Sequence, residues 1–358
     1  MLLKPAVAFG LIRRAAVMAS VMSLAAAGLV SGASGATVNA GSDPAAPGSA
    51  SNSANCPDGF TSVPAESSTP ISGGGVVDRY DVNGTEMDVP VAPSTFQPLL
   101  ATDGDLAAFG VPPRPRSSES RAEWTSLMSA WRWAPDAGLC VGPEGLTFSS
   151  HINGSWSGMV ASAGSTTWNT VAGWFTQPSF NSAGCSSSSE ASWVGLGGYG
   201  SPDLVQDGTY MEQGPRYWAF YEYLNLAHSN PPITLSSVSV NPGNVFYSYV
   251  FFQSSTSKVE FYVQNETNGT HQTVWLSNAS SYYDGHAVDF IDERPWISLP
   301  NFSSIPWSNA GEGELDGSWH NLGDQSPSTQ IMETGSTLRA EPGGMLTSTS
   351  FKDYWYHC

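Results

Sequence analysis

The sequence predicts an all-β protein built as a two-sheet sandwich or jelly roll, and three observations carry that expectation. Charged residues make up only 12% of the 358, while 37 glycines, 25 prolines and an aromatic content of 11% favour turns and broad sheet-facing side chains over helical bundles. After residue 150, short apolar runs alternate with polar residues and are separated by Gly, Pro, Asn and Ser clusters, roughly ten runs in about 200 residues. No repeat of fixed period interrupts that pattern.

The elements follow in order. Residues 1–36 combine Lys4, Arg13 and Arg14 with an apolar run from Ala15 to Val30 and small residues from Ser31 to Ala36, which reads as a secretory signal peptide. At about 16 residues the run is shorter than the roughly 20 a membrane span needs. Residues 37–75 hold Ser, Ala, Gly, Pro and Asn with almost no large apolar groups and are expected to be a disordered leader, because little burial offsets the entropy of ordering them. Residues 76–149 form a small, partly helical region, a propeptide or an accessory region. Helices are expected at Asp103–Phe109 and Ser118–Trp133, the second carrying Trp124, Leu127, Met128 and Trp131 on one face.

Residues 150–358 then form the β domain. Val245, Tyr247, Tyr249 and Phe251 alternate with Phe246, Ser248 and Val250, and Val259, Phe261 and Val263 alternate with Lys258, Glu260 and Tyr262. Strands are expected there and at 171–177, 191–196, 218–224 and 287–293.

Charge and cysteine usage narrow the function classes. Signal cleavage removes three of 13 cations and none of the 31 carboxylates, moving the formal charge from −18 to −21, so nucleic acid and anionic membrane are poor partners. Such a chain becomes less self-repelling as its carboxylates protonate, which suits an acidic medium. Cys56, Cys140, Cys185 and Cys358 form no CxxC pair and have no His at metal spacing, so disulfides are expected after export. Of three connectivities, Cys56 with Cys140 and Cys185 with Cys358 keeps each bridge inside one region. A secreted monomer is expected.

Familiar catalytic motifs are missing. The chain has no GxSxG, no HExxH, and no Asp-Thr-Gly or Asp-Ser-Gly. The stretch 195–200 matches GxGxxG, but Ser201-Pro202-Asp203 follows in place of a phosphate-binding helix. Six Asn-x-Ser/Thr triplets, at Asn83, Asn153, Asn265, Asn268, Asn278 and Asn301, matter only in a host that glycosylates secreted proteins.

Six short segments appear in sequence: Ser155-Trp156-Ser157-Gly158, residues 171–178 (VAGWFTQP), Ala191-Ser192-Trp193-Val194-Gly195, Leu204-Val205-Gln206-Asp207-Gly208, Ala219-Phe220-Tyr221-Glu222-Tyr223, and residues 289–295 (DFIDERP). Their order and spacing resemble the glutamic peptidases, the eqolisin or peptidase G1/A4 family, over about residues 150–352. The resemblance implies a concanavalin-like double β-sheet and a secreted acid endopeptidase made as a precursor, with no metal or cofactor, acting on protein or peptide substrates. It assigns Gln206 as oxyanion stabiliser and places Asp289 where the family has its catalytic Glu. Trp156 and Trp193 match the tryptophans of the family's cleft, and Glu222 matches a supporting, substrate-binding position.

Asp289 is the departure. Its unperturbed pKa, about 3.9, is close to the roughly 4.3 of Glu. Its side chain is one methylene shorter, and a displacement of about 1 Å can cost about 10²-fold in rate. Alternation puts Asp289, Ile291 and Glu293 on one strand face and Phe290 and Asp292 on the other, making Glu293 an alternative or supporting carboxylate. Gly197 is a second departure, since family members often carry Asp there. The region before residue 150 holds Arg114, Arg116, Arg121 and Arg132, and is expected to lie against an acidic cleft and let go as carboxylates protonate. An inactive peptide-binding relative and a carbohydrate-binding or glycan-cleaving jelly roll are the competing readings, the last requiring two facing carboxylates about 5–9 Å apart.

Overall fold

The computed structural model describes residues 56–116, 118–135, 138–143, 154–164, 167–181, 184–185, 187–227, 230–295, 298–315 and 317–358. The expected signal peptide, the leader up to residue 55 and residues 144–153 lie outside them.

The chain opens with strands β1 (Thr61–Val63), β2 (Ser67–Pro70), β3 (Val76–Val82) and β4 (Thr85–Val91), then helices α1 (Asp103–Ala108) and α2 (Ser118–Ala130), then β5 (Leu139–Val141). The next strands are β6 (Trp156–Ser162), β7 (Trp168–Thr176), β8 (Ser189–Gly197), β9 (Leu204–Glu212), β10 (Arg216–Leu224) and β11 (Ile233–Leu235). They are followed by β12 (Val245–Gln253), β13 (Lys258–Asn265), β14 (His271–Leu276), β15 (Ala287–Glu293), β16 (Ser304–Glu314) and β17 (Trp319–Asn321). The last are β18 (Ser328–Gln330), β19 (Met332–Thr334), β20 (Thr337–Thr347) and β21 (Ser350–Trp355). Among the described residues no helix is long and apolar enough to cross a membrane.

Two antiparallel sheets face each other. The first runs β1-β5-β11-β10-β9-β8-β15-β6-β18 and the second β19-β20-β21-β16-β7-β12-β13-β14-β4-β3-β2, with β17 beside β16. Period-two alternation sorts the side chains. On β12, Phe246, Val250 and Phe252 enter the core between the sheets, while Tyr247 and Tyr249 face outward onto Leu127, Met128 and Trp131 of the helical segment. On β15, Val288 and Phe290 enter that core, while Ala287 and Ile291 join a separate cluster on the outer face of the first sheet with Trp156, Trp193 and Phe220. The all-β sandwich expected from composition and alternation is the architecture found.

The N-terminal part departs from expectation in two ways. Residues 56–75 were expected to belong to a disordered leader, yet β1 pairs with β5 and β2 pairs with β3. Exposed, polar β2 buries little of its own and is ordered by pairing with β3, while the Cys56–Cys140 disulfide ties the chain just before β1 to β5. The second bridge is Cys185–Cys358, so the pairing that keeps each bridge within one region is the one formed. The β-sandwich also starts well before residue 150. Tyr80, Val82, Met87, Val89 and Leu139 bury in the inter-sheet core, and the β3–β4 hairpin turns through Asn83 and Gly84, both at positive φ, as an Asn-Gly turn should.

The arginine-bearing unit does not lie against an acidic cleft. Its helices cover the outer face of the second sheet, the opposite side of the sandwich from Gln206 and Asp289. The arginines bind locally: Arg114 contacts Asp103 and stacks over Trp124, Arg121 donates to Pro115 O, and Arg132 donates to the carbonyls of Ser129, Ala130 and Trp131.

Candidate active site

The outer face of the first sheet gathers every residue singled out for chemistry. Strand register sets one row across it: Glu222 opposite Gln206, Gln206 opposite Gly195, and Gly195 opposite Asp289. Gln206 and Asp289 are therefore two strands apart, about 10 Å between backbones at the usual spacing. The residue between them has no side chain. A Cβ on Gly195 would come within 2.9 Å of both the Trp193 ring and Leu204 Cδ1, so glycine at this point lets the indole close over the backbone.

Another row, two repeats of the pleat along, holds Glu293 opposite Ala191 on one side and Trp156 on the other. Trp193 Nε1 donates to Glu293 Oε2 at 3.0 Å, and the Trp156 and Trp193 rings meet edge to face at 4.9 Å. Glu293 is thereby occupied in holding an indole. All six residues are fully buried.

The polar atoms at the first row are arranged asymmetrically. Gln206 Nε2 donates to Glu222 Oε2 at 2.6 Å, which fixes the amide's orientation and leaves its second N–H available. Gln206 Oε1 and both carboxylate oxygens of Asp289 have no protein hydrogen-bond partner. Burial, and secondarily the negative charge of Asp284, pushes the Asp289 carboxyl well above the usual carboxylate range. Asp284 Oδ1 lies 3.4 Å from where a Cβ of residue 197 would sit, so at this departure from the family pattern a carboxylate from the loop before β15 approaches bare Gly197.

The reverse face of the same strands carries acids that sequence reasoning did not single out. Asp292 of β15, Glu190 of β8 and Asp353 of β21 are buried between the sheets. Ser157 Oγ donates to Asp353 Oδ1 at 2.7 Å, Ser192 Oγ to Glu190 Oε1 at 2.5 Å, and Trp307 Nε1 to Asp292 Oδ2 at 3.2 Å. Burial raises all three: Asp292 well above its ordinary value and Glu190 to about 8, both with added repulsion from Asp353, and Asp353 to about 6, held lower by hydrogen bonds from Asp292 and Ser157. A glutamate inside the otherwise uncharged run 189–197 is the one sequence signal that could have pointed to them. Among the described residues no group of three His, Cys, Asp or Glu side chains is arranged to hold a metal ion.

The sequence profile described as the Peptidase A4 family matches residues 154–353. Among curated proteins none matches. Solved structures with a similar fold include scytalido-glutamic peptidase bound to a peptide-based transition-state analogue, at 19% identity and a TM-score of 0.49 over 57% of this chain and 100% of that one. They also include SCP-B, a member of the eqolisin family of peptidases, in complex with a tripeptide, at 17% identity and a TM-score of 0.46 over 57% of this chain and 100% of that one.

Proposed function

Because this chain belongs to the Peptidase A4 family, we propose that it is a secreted acid endopeptidase whose chemistry rests on Gln206 and Asp289. The observation that carries the reading is the single row Glu222–Gln206–Gly195–Asp289, in which an amide faces a carboxylate across a side-chain-free position. A glycosidase would instead need two facing carboxylates.

In this mechanism the ionised form of Asp289 takes a proton from the water attacking the scissile carbonyl and later returns it to the leaving amine, so the burial that favours its protonated form moves activity toward the less acidic end of the range. The Gln206 N–H not held by Glu222 donates to the developing oxyanion, a contact worth about 10²–10³ in rate. Glu222 acts as a positioning residue, since its carboxylate decides which end of the amide is nitrogen. Glu293 holds Trp193, and Trp193 with Trp156 walls the row, leaving Asp289 as the carboxylate without a competing bond.

The test is proteolysis of a denatured protein between pH 2 and 7 by the secreted protein and its variants. Gln206→Ala and Asp289→Ala should each lose cleavage. Activity that survives Asp289→Ala and disappears in Glu293→Ala would move the base four residues along the strand. No cleavage at any pH would leave a peptide-binding relative.

A further inference from the structure

The outer face of the first sheet is not built from the family-matched residues alone. Phe60, well before residue 154, packs edge to face on Trp218 with ring centroids 5.1 Å apart, and Trp218 lies 4.4 Å from Tyr210. Trp218 shares a strand face with Glu222, and Tyr210 shares one with Gln206, so these rings stand on the same face as the Gln206 row. Register places them at its far end. Trp218 is opposite Tyr210 and Tyr210 opposite Ala191, four residues along β8 from Gly195. At the usual rise and strand spacing, Trp218 is about 16 Å from the backbone between Gln206 and Asp289, the reach of about five residues of extended chain.

Four successive constraints hold Phe60 there. Cys56 is bridged to Cys140, and Asp58 pairs with Arg216 of β10. The Phe60 N–H donates to Pro57 O at 3.0 Å across a turn whose third residue, Gly59, has a φ of +86°, and β1 starts at the next residue. The half-buried ring is thereby a fixed wall rather than a mobile flap. Beside it, Tyr210 Oη donates to Glu212 Oε2 at 3.4 Å, and Glu212 pairs with Arg216. Trp218, 6% exposed, keeps an unmet polar atom: its Nε1 is buried without a protein acceptor. An indole N–H can only donate, so the group missing here is an acceptor such as a peptide carbonyl.

We propose that Phe60, Trp218 and Tyr210 form a distal specificity site that takes a large apolar or aromatic side chain of the substrate, about five residues from the scissile bond. The inference rests on the endopeptidase reading of the same face. Trp218 and Tyr210 belong to one apolar cluster with Trp193 and Trp156, so a peptide lying over the Gln206 row stays on a continuous surface as far as Phe60. Ring edges and faces favour a further ring among them. Asp58, Arg216 and Glu212 pair with one another, so discrimination falls to shape and apolar contact rather than charge. Phe60 acts on substrate choice alone, being too far from the reacting atoms to touch them.

The experiment uses the full chain and a peptide carrying one bond that it cleaves in denatured protein. Phenylalanine or alanine is placed in turn at the third to seventh residues on either side of that bond, and kcat/KM is measured for each. At one position near the fifth residue, phenylalanine should be preferred over alanine by about tenfold. Phe60→Ala should bring that ratio close to one, and Phe60→Leu, which keeps apolar bulk, should leave it in between. Each ratio is taken within one variant, so it does not depend on how much of that variant folds; should Phe60→Ala not fold at all, a lowered ratio in Phe60→Leu carries the decision. A ratio that stays or rises in the variants, or an active wild-type chain with no distal preference, overturns the site. A wild-type chain that cleaves nothing would instead strike the endopeptidase reading, and the site would fall with it.

Discussion

Strand β15 carries carboxylates on both of its faces, and the two sets live under opposite rules. On the outer face, Asp289 stands beside an amide two strands away and has no bond of its own, while Glu293 is tied to an indole. On the inner face, Asp292 shares a pocket with Glu190 and Asp353, with hydroxyl and indole donors but no cation among their hydrogen-bond partners. The residue types are alike, and the partners decide their use. A lone carboxylate facing a donor can do chemistry; three acids facing one another can stay neutral only by keeping protons. On the proposed mechanism one face serves the reaction, while the other makes the sandwich depend on acid.

The largest effect should come from Gln206→Ala, with kcat/KM lower by about 10²–10³ and the fold unchanged, measured by peptide hydrolysis and circular dichroism. An equal loss from Asp292→Asn would erase the contrast between the faces. The next effect concerns stability. Folded-state pKa values raised above the unfolded ones contribute stability that is complete below about pH 4 and is lost as pH rises through about 6 for Asp353 and about 8 for Glu190. Each proton held only by the folded state is worth about 1.4 kcal/mol per pH unit. Melting temperature should therefore fall between pH 4 and 8, and Asp353→Asn should flatten that slope without altering the pH profile of cleavage.

Smaller changes sharpen the outer face. Glu222→Gln keeps the size but offers an amide to an amide, so Gln206 loses its fixed orientation; a fall in kcat of about 10-fold at steady KM is expected, within the range of a lost charged hydrogen bond. The smallest expected effect comes from Asp284→Asn. Removing a negative charge near Asp289 lets that group ionise more readily, so the acid limb of kcat/KM should move to lower pH. A shift upward, or none, would mean that another group sets that limb.

Much of this was legible in the chain. The run 287–293 shows the strand and its two faces directly, because Phe290 and Ile291 are both large and apolar and must go to opposite sides. Gln206 could be found from the segments around it. What escaped detection depended on partners distant in sequence. Asp353 meets Asp292 only because β21 and β15 lie on facing sheets, and Ser67–Pro70 is polar enough to read as leader until β3 is beside it. The arginines misled for a related reason: their count suggested attraction to an acidic cleft, whereas carbonyls and Asp103 a few residues away satisfy them first.

The Cys56–Cys140 bridge spans 84 residues and encloses both α-helices and the first four strands described. A single cut anywhere inside that span would open the backbone and release nothing: the pieces would travel together until a reductant separated them. Processing of this segment therefore has to be followed on reducing gels, and only a cut beyond residue 140 can divide it from the strands that carry Gln206 and Asp289.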